Sequence, residues 1–387
     1  MIRVPIRLRR ALDESYEILI GRGLGPRITV DLRRRRLGRR YVLVTDSHLH
    51  ARCGEPLRAA FRRRGLVADL ISFPAGESSK TRRVRDAIED GVIALDAGRD
   101  TALVALGGGV VGDLVGFVAA TFNRGVPYVQ IPTTLIGMVD AAIGGKTGIN
   151  HPAGKNLIGA FHHPSAVYVD VDYLKTLPPR QFTAGLAEVV KCGVIADRRL
   201  FEAIEGHPER VLERDPDTMS RIIEACCRIK ARVVAEDPRE SNRRKILNFG
   251  HTIGHALETL SGYRMAHGEA VAIGMVAEAR MAGREGLLSV SAADRIAALV
   301  ARLGLPTAIP PAFDPAAILE VAHRDKKARQ GRIAYALPVR IGAMANIAGE
   351  YGIPLADSLA AQVLHDLAQV RPSGRRRPFT PAPRLAT

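Results

Sequence analysis

Residues 101–113 read TALVALGGGVVGD, and this stretch decides the fold. From Thr101 to Leu106 the chain is apolar or β-branched without alternation, as in a strand buried on both faces of a parallel sheet. Gly107-Gly108-Gly109 then ends the strand, and a helical pattern opens at Val110 and continues through Gly112-Asp113. Glycines at such a turn let the backbone approach a diphosphate. The helix that follows offers free N–H groups and a positive dipole end. The longer run Thr101–Phe122 is apolar enough to suggest a membrane span. However, Asp113 near its centre would cost roughly 2.5–3.5 kcal/mol in a bilayer. A strand, a glycine turn and a helix account for the same residues, and a soluble protein is expected.

Outward from this unit the pattern repeats. Tyr41–Thr45, Leu66–Phe73, Tyr128–Pro132 and Ala166–Val169 read as further buried strands, with helices expected over Thr81–Leu95 and Val111–Thr121. This βαβ rhythm predicts an α/β domain. After Leu177-Pro178-Pro179 the texture turns helical, over Phe182–Ile195, Thr218–Ala235, Thr252–Leu260, Glu269–Glu285 and Ala292–Leu303. The expected division is an α/β domain over 1–178, a helical domain over 179–370, and a Pro- and Arg-rich disordered tail over 371–387.

The 387 residues are enough for two domains. Cys53, Cys192, Cys226 and Cys227 form no C-x-x-C pair and cannot frame a chain of this size, which points to a reducing cytoplasm. No signal peptide is visible in the Arg-rich N-terminus. The net charge is +16, but residues 1–40 hold +8 of it and 371–387 hold +5. The core between them is close to neutral. No aromatic residues interleave with Arg33–Arg36 to stack on bases, so nucleic acid is not the expected partner.

Three segments carry chemistry beyond the glycine turn. Asp46 ends a strand, where an acid either takes ribose hydroxyls or caps the next helix. The run from Thr133-Thr134 through Asp140 and Gly144-Gly145-Lys146-Thr147 to Gly154-Lys155-Asn156 sets lysines beside glycines, suiting a polyanion. It lacks the upstream glycine spacing of a P-loop, which excludes a nucleotide triphosphatase on this motif. His251 and His255 stand at i, i+4 and share one helix face. His267 follows in Ala266-His267-Gly268-Glu269, and Glu188 precedes Lys191 by one helical turn. Two imidazoles and a carboxylate with open positions would make a catalytic metal site. Spacing alone leaves open which two of the three histidines bind.

Together these segments resemble the 3-dehydroquinate synthase family of sugar phosphate cyclases. The likeness runs from about Tyr16 to about Ile341. It is densest in residues 107–113, in Pro132–Asn156, in Gly185-Leu186-Ala187-Glu188-Val189-Val190-Lys191, and in Leu247-Asn248-Phe249-Gly250-His251-Thr252-Ile253-Gly254-His255. The resemblance implies a Rossmann-like NAD-binding domain, a helical metal-binding domain, and an active site in the cleft between them. It implies a divalent metal, usually zinc with cobalt as the alternative, on Glu188, His251 and His267. It places His255 against the substrate, together with Asp140, Lys146, Asn156, Lys191, Lys230, Arg244, Asn248 and Lys327. Arg124 matches a residue that reaches the neighbouring subunit, which implies a homodimer. NAD contacts map onto Asp46, Glu77, Lys80, Gly109, Asp113, Thr133, Thr134, Lys146, Lys155, Thr176 and Leu177.

The substrate so implied, 3-deoxy-D-arabino-heptulosonate 7-phosphate, carries a carboxylate and a phosphate. Lys230 and Arg244 would pair the carboxylate, the arginine with a planar fork. Lys146, Asn156, Asn248, His255 and Lys327 would surround the phosphate. By the same resemblance NAD takes a hydride from C5, phosphate leaves, the hydride returns, and an intramolecular aldol closes the ring. Two departures stand out. Asp140-Ala141-Ala142 replaces the commoner Asp-Ser-Ser, and Gln181 stands where an acid is frequent. Cyclases acting on an amino analogue or on sedoheptulose 7-phosphate remain alternatives, as does a metal-dependent NAD polyol dehydrogenase. The lysine and arginine inventory argues against the last.

Overall fold

The structure, a computed structural model, describes residues 13–152, 154–324 and 333–370. The expected tail over 371–387 lies outside the described residues. The first half of the chain folds as β1 (Glu17–Gly21), α1 (Gly25–Arg35), β2 (Arg40–Asp46), α2 (Glu55–Arg63), β3 (Val67–Phe73), α3 (Arg82–Ala94), β4 (Thr101–Gly107), α4 (Gly109–Thr121), β5 (Tyr128–Pro132), β6 (Lys146–His151), β7 (Gly154–Phe161) and β8 (Ala166–Asp170). Six strands make one parallel sheet in the order β1-β8-β5-β4-β2-β3. All five strands expected from sequence are in it. Edge strand β1 and the antiparallel β6–β7 hairpin were not foreseen.

Alternation along each strand feeds two cores. Tyr41 and Leu43 of β2 pack with Ile28, Leu32 and Phe61 of α1 and α2, whereas Val42 and Val44 pack with Ile88, Val92, Leu114 and Val118 of α3 and α4. Both faces are therefore covered, and β4 is buried along its whole length. From β2 the chain continues outward to β3 and then returns to place β4 on the other side of β2. Such a reversal of strand order opens a crevice beyond the C-terminal strand ends, here between Asp46 and Gly107.

The second half is built from α5 (Pro179–Ala196), α6 (Arg198–Gly206), α7 (Pro208–Leu212), α8 (Pro216–Glu236), α9 (His251–Leu260), α10 (His267–Arg284), α11 (Val290–Arg302), α12 (Pro315–Arg324) and α13 (Asp357–Gln369), with four short strands before α13. One apolar cluster joins these helices and continues onto Val167 and Val169 of β8. Glycines set the close approaches around α10. A Cβ on Gly268 would lie 1.8 Å from the Ala184 carbonyl oxygen of α5, and one on Gly274 would lie 1.9 Å from that of Gly250, the residue before α9. These contacts bring three helix segments to one point. No described helix is long and apolar enough to cross a membrane.

Candidate active site

A cleft of about 2400 Å³ runs along the C-terminal strand ends and into the helical half. That exceeds the usual volume for one small ligand, roughly 300–1,000 Å³, and can take a dinucleotide and a second molecule together. On the sheet side, Gly108, Gly109 and Val110 line it at the start of α4. The first amides of that helix have no intrahelical acceptor and no side-chain cap. A Cβ on Gly108 would meet Thr134 at 2.9 Å and one on Gly107 would meet Val111 at 2.4 Å, so the turn tolerates no side chain.

All the residues expected at the nucleotide side line this cleft: Asp46, Glu77, Lys80, Gly109, Asp113, Thr133, Thr134, Lys146, Lys155, Thr176 and Leu177. Asp46 also caps the turn after β2, its Oδ1 accepting the His48 and Leu49 amides at 2.9 and 3.2 Å. Lys80 is buried and holds Asp113 and the Asn156 side-chain oxygen. Burial raises the Asp113 pKa, and the Lys80 charge only partly offsets it. Lys155 lies 2.9 Å from Glu258 and 3.6 Å from Glu77, with the Tyr263 ring 4.7 Å away.

On the helical side α5 presents Glu188 and Lys191, buried as an ion pair. His251 opens α9 after Gly250, whose φ of +79° favours glycine. His267 opens α10. Glu188 Oε1 lies 3.5 Å from His251 Nε2 and 3.4 Å from His267 Nε2. Both imidazoles are held by their other nitrogen. His251 Nδ1 donates to the Phe249 carbonyl at 3.1 Å, and His267 Nδ1 donates to Glu258 Oε2 at 3.2 Å. That turns each Nε2 toward the carboxylate. Although burial opposes the His267 charge, Glu188 and Glu258 raise its pKa to about 10, so a cation bound there would displace the Nε2 proton.

The Glu188 side chain is fully buried, with Lys191 against Oε2 and the two Nε2 atoms against Oε1. Burial opposes its charge, but Lys191 and His267 outweigh burial and hold its pKa well below the usual carboxylate range. A buried anion whose Oε1 faces two oriented imidazoles fits a divalent cation. Ligand atoms of Glu188, His251 and His267 all fall within 4.8 Å of one another. Those of His255, Glu258 and His267 do too, though Glu258 is already engaged by Lys155.

Deeper in the cleft, Asp140 is the acceptor for Lys230, through its carboxylate at 2.6 Å and its carbonyl at 2.5 Å, and lies 3.9 Å from Lys191. Burial favours the neutral acid, yet the two lysines keep Asp140 ionised. Burial pulls Lys230 below the usual lysine value, partly offset by Asp140. Burial likewise opposes the Lys191 charge, but Glu188 and Asp140 overcome it and raise its pKa. Arg244 is 2% exposed and donates to the Pro238 and Gly144 carbonyls at 2.7 and 3.2 Å, with its Nε left without a partner. Lys146, Asn156, Asn248 and His255 also line the cleft, as do Ala141 and Gln181.

Two expected residues stand apart. Arg124 does not line the cleft of its own chain, and Lys327 lies outside the described residues. Two acids were missed. Glu240 contacts Lys146 with one oxygen and accepts from Asn248 Nδ2 at 2.9 Å with the other. It lies in the loop after α8, where no helical spacing ties it to Lys146 or Asn248, so no local signal singles it out. Glu258 continues the helix face of His251 and His255 at i+7, a spacing that could have been read.

A parallel sheet with a glycine turn at its switch point, facing an oriented carboxylate–histidine triad, defines a two-domain enzyme class using a dinucleotide and a metal. Matches to known proteins narrow this class. The 3-dehydroquinate synthase N-terminal family matches residues 70–184 and the 3-dehydroquinate synthase C-terminal family matches residues 185–328. The chain belongs to the 3-dehydroquinate synthase family. The 3-dehydroquinate synthase of a Synechococcus species is 45% identical over 373 residues, 95% of this chain and 98% of that one. Among solved structures, a 2-deoxy-scyllo-inosose synthase complexed with carbaglucose-6-phosphate, NAD+ and Co2+ superposes with a TM-score of 0.83 at 28% identity, covering 90% of this chain and 96% of its own. The 2-epi-5-epi-valiolone synthase of Streptomyces hygroscopicus, with NAD+ and Zn2+ bound, gives 0.85 at 28% identity, covering 94% and 99%.

Proposed function

We propose that the chain converts 3-deoxy-D-arabino-heptulosonate 7-phosphate to 3-dehydroquinate and phosphate. The observation that carries this reading is the single cleft that joins the α4 N-terminus, the cation-binding triad and the buried pair Lys230 and Arg244. A simple polyol dehydrogenase would have no use for that buried cationic pair. This reading divides the chain into 1–178 and 179–370, a cut just ahead of α5 (Pro179–Ala196).

When bound, NAD supplies a transient hydride acceptor, and a divalent metal, zinc in this reading, supplies a Lewis acid for adjacent hydroxyls. Glu188, His251 and His267 would hold the metal. The α4 amides, Asp46, Glu77, Lys80, Asp113, Thr133, Thr134, Lys155, Thr176 and Leu177 would hold the nucleotide. Lys230 and Arg244 bind the substrate carboxylate, and Arg244, already fixed by two carbonyls, loses little freedom in doing so. Lys146, Asn156, Asn248 and His255 gather the phosphate end, with Lys327 and the Arg124 of a second copy completing a homodimeric site. Lys191 and Asp140 position the central hydroxyls, and Glu240, between Lys146 and Asn248, is placed to exchange a proton near the departing phosphate. The cytoplasm is the compartment this reading assigns.

The test is phosphate release from the heptulosonate phosphate with catalytic NAD, with and without a chelator, while absorbance follows NADH. Chelator-sensitive phosphate release without net NADH is the expected result. NADH accumulating without phosphate would instead identify a dehydrogenase.

A further inference from the structure

Glu258 is a buried carboxylate that lines the cleft and stands between its two halves. It lies on α9, one helical turn beyond His255, and is 2% exposed. Its Oε2 accepts from His267 Nδ1 at 3.2 Å, and its Oε1 accepts from Lys155 Nζ at 2.9 Å. Lys155 belongs to the β6–β7 hairpin of the sheet half and also faces Glu77 at 3.6 Å. The backbone around Glu258 is fixed as well, since Ser261 Oγ donates to its carbonyl at 2.7 Å. A continuous series of polar contacts thus runs from Glu77 on the nucleotide wall through Lys155, Glu258 and His267 to Glu188.

From this arrangement we propose that Glu258 is a positioning residue that locks His267 for metal binding and, by the same carboxylate, holds Lys155 at the nucleotide wall. The inference rests on the metal and NAD assignments above. Each oxygen has one task, so the carboxylate cannot satisfy both partners unless the β6–β7 hairpin and α10 keep their present distance. Holding His267 by Nδ1 fixes its ring plane and tautomer and makes Nε2 a better ligand. Partners of this kind are typically worth about 10–100-fold in metal affinity. Holding Lys155 keeps a cation beside Glu77 on the nucleotide wall. Removing one carboxylate should therefore weaken two ligands that it does not touch.

The experiment titrates the metal-free full-length protein with Co2+ against a competing chelator, recording the cobalt d–d absorption, and measures NAD binding separately. Variants are Glu258→Gln, which keeps size and one acceptor, Glu258→Ala, and His267→Ala as reference. Expected are a metal Kd about 10–100-fold weaker in Glu258→Ala with an altered cobalt spectrum, a smaller loss in Glu258→Gln, and weaker NAD binding in both. Should Glu258→Ala not fold, Glu258→Gln carries the same comparison. A cobalt Kd and spectrum unchanged in both Glu258 variants, while His267→Ala loses the metal, would overturn the positioning role and leave the metal site standing. Retention of cobalt by His267→Ala would overturn the metal assignment and this inference with it.

Discussion

Lys191 and Glu188 stand one turn apart on α5 and form an ion pair with 2% and 1% of the two side chains exposed. A buried carboxylate deprived of its only lysine is destabilising by roughly 3–5 kcal/mol. A cation bound at Glu188 would take over that compensation. Lys191→Met should therefore destabilise the metal-free protein far more than the metal-loaded one. Denaturant unfolding with and without Zn2+ measures the difference, and equal losses in both forms would count against a metal on Glu188.

The loop carrying Glu240 and Arg244 hangs on Asp237. Its carboxylate accepts from Ser241 N and Oγ at 2.8 and 2.9 Å, from Asn242 N at 2.8 Å and from Arg244 N at 3.0 Å. Burial works against the charge, but these donors hold the Asp237 pKa below the usual aspartate value. The sign follows: the stabilisation is fully present above the unfolded aspartate pKa and is lost as pH falls through the lowered folded one. Asp237→Asn should cost about 1–3 kcal/mol at neutral pH. The gap between the two proteins should close in acid, as read from unfolding curves across pH.

Arg244→Lys tests the carboxylate pocket. Lysine keeps the charge but loses the planar fork and cannot reach both the Pro238 and Gly144 carbonyls as the guanidinium does. A charged hydrogen bond is worth about 1.5–3 kcal/mol, so kcat/KM should fall roughly 10–100-fold. Phosphate-release kinetics at varied substrate concentration give the value. An unchanged kcat/KM would remove Arg244 from the substrate site.

Gly274 sets how closely α10 approaches the start of α9. A methyl group there would lie 1.9 Å from the Gly250 oxygen, a backbone atom that cannot swing aside. Overpacking of this kind costs about 1–3 kcal/mol or more. Because His251 follows Gly250, Gly274→Ala should lower both the unfolding temperature and the metal affinity. Thermal melts and chelator competition on the same sample would detect this. Loss of stability with metal affinity intact would mean that His251 is held from elsewhere.

By itself the sequence determined the strand–glycine–helix unit at 101–113, five strands of the sheet and the change to helices after Pro178. Those signals are local, because hydrophobic period and glycine placement act within one element. It also supplied the candidate ligands Glu188, His251, His255 and His267, since each lies in a compact motif. Tertiary structure alone decided the rest. β1 is a five-residue edge strand whose partner β8 begins 145 residues after β1 ends, and the Gly-rich β6–β7 hairpin shows no alternation. The histidine ambiguity is narrowed by packing: Gly268 and Gly274 draw α5, α9 and α10 together, setting His251 and His267 against Glu188. Glu240 and Glu258 gained their roles the same way, from partners such as Lys146 and Lys155 about a hundred residues distant in sequence. Spacing along a chain fixes which residues share a helix face, whereas contacts between elements depend on how whole faces pack, and no single stretch encodes that.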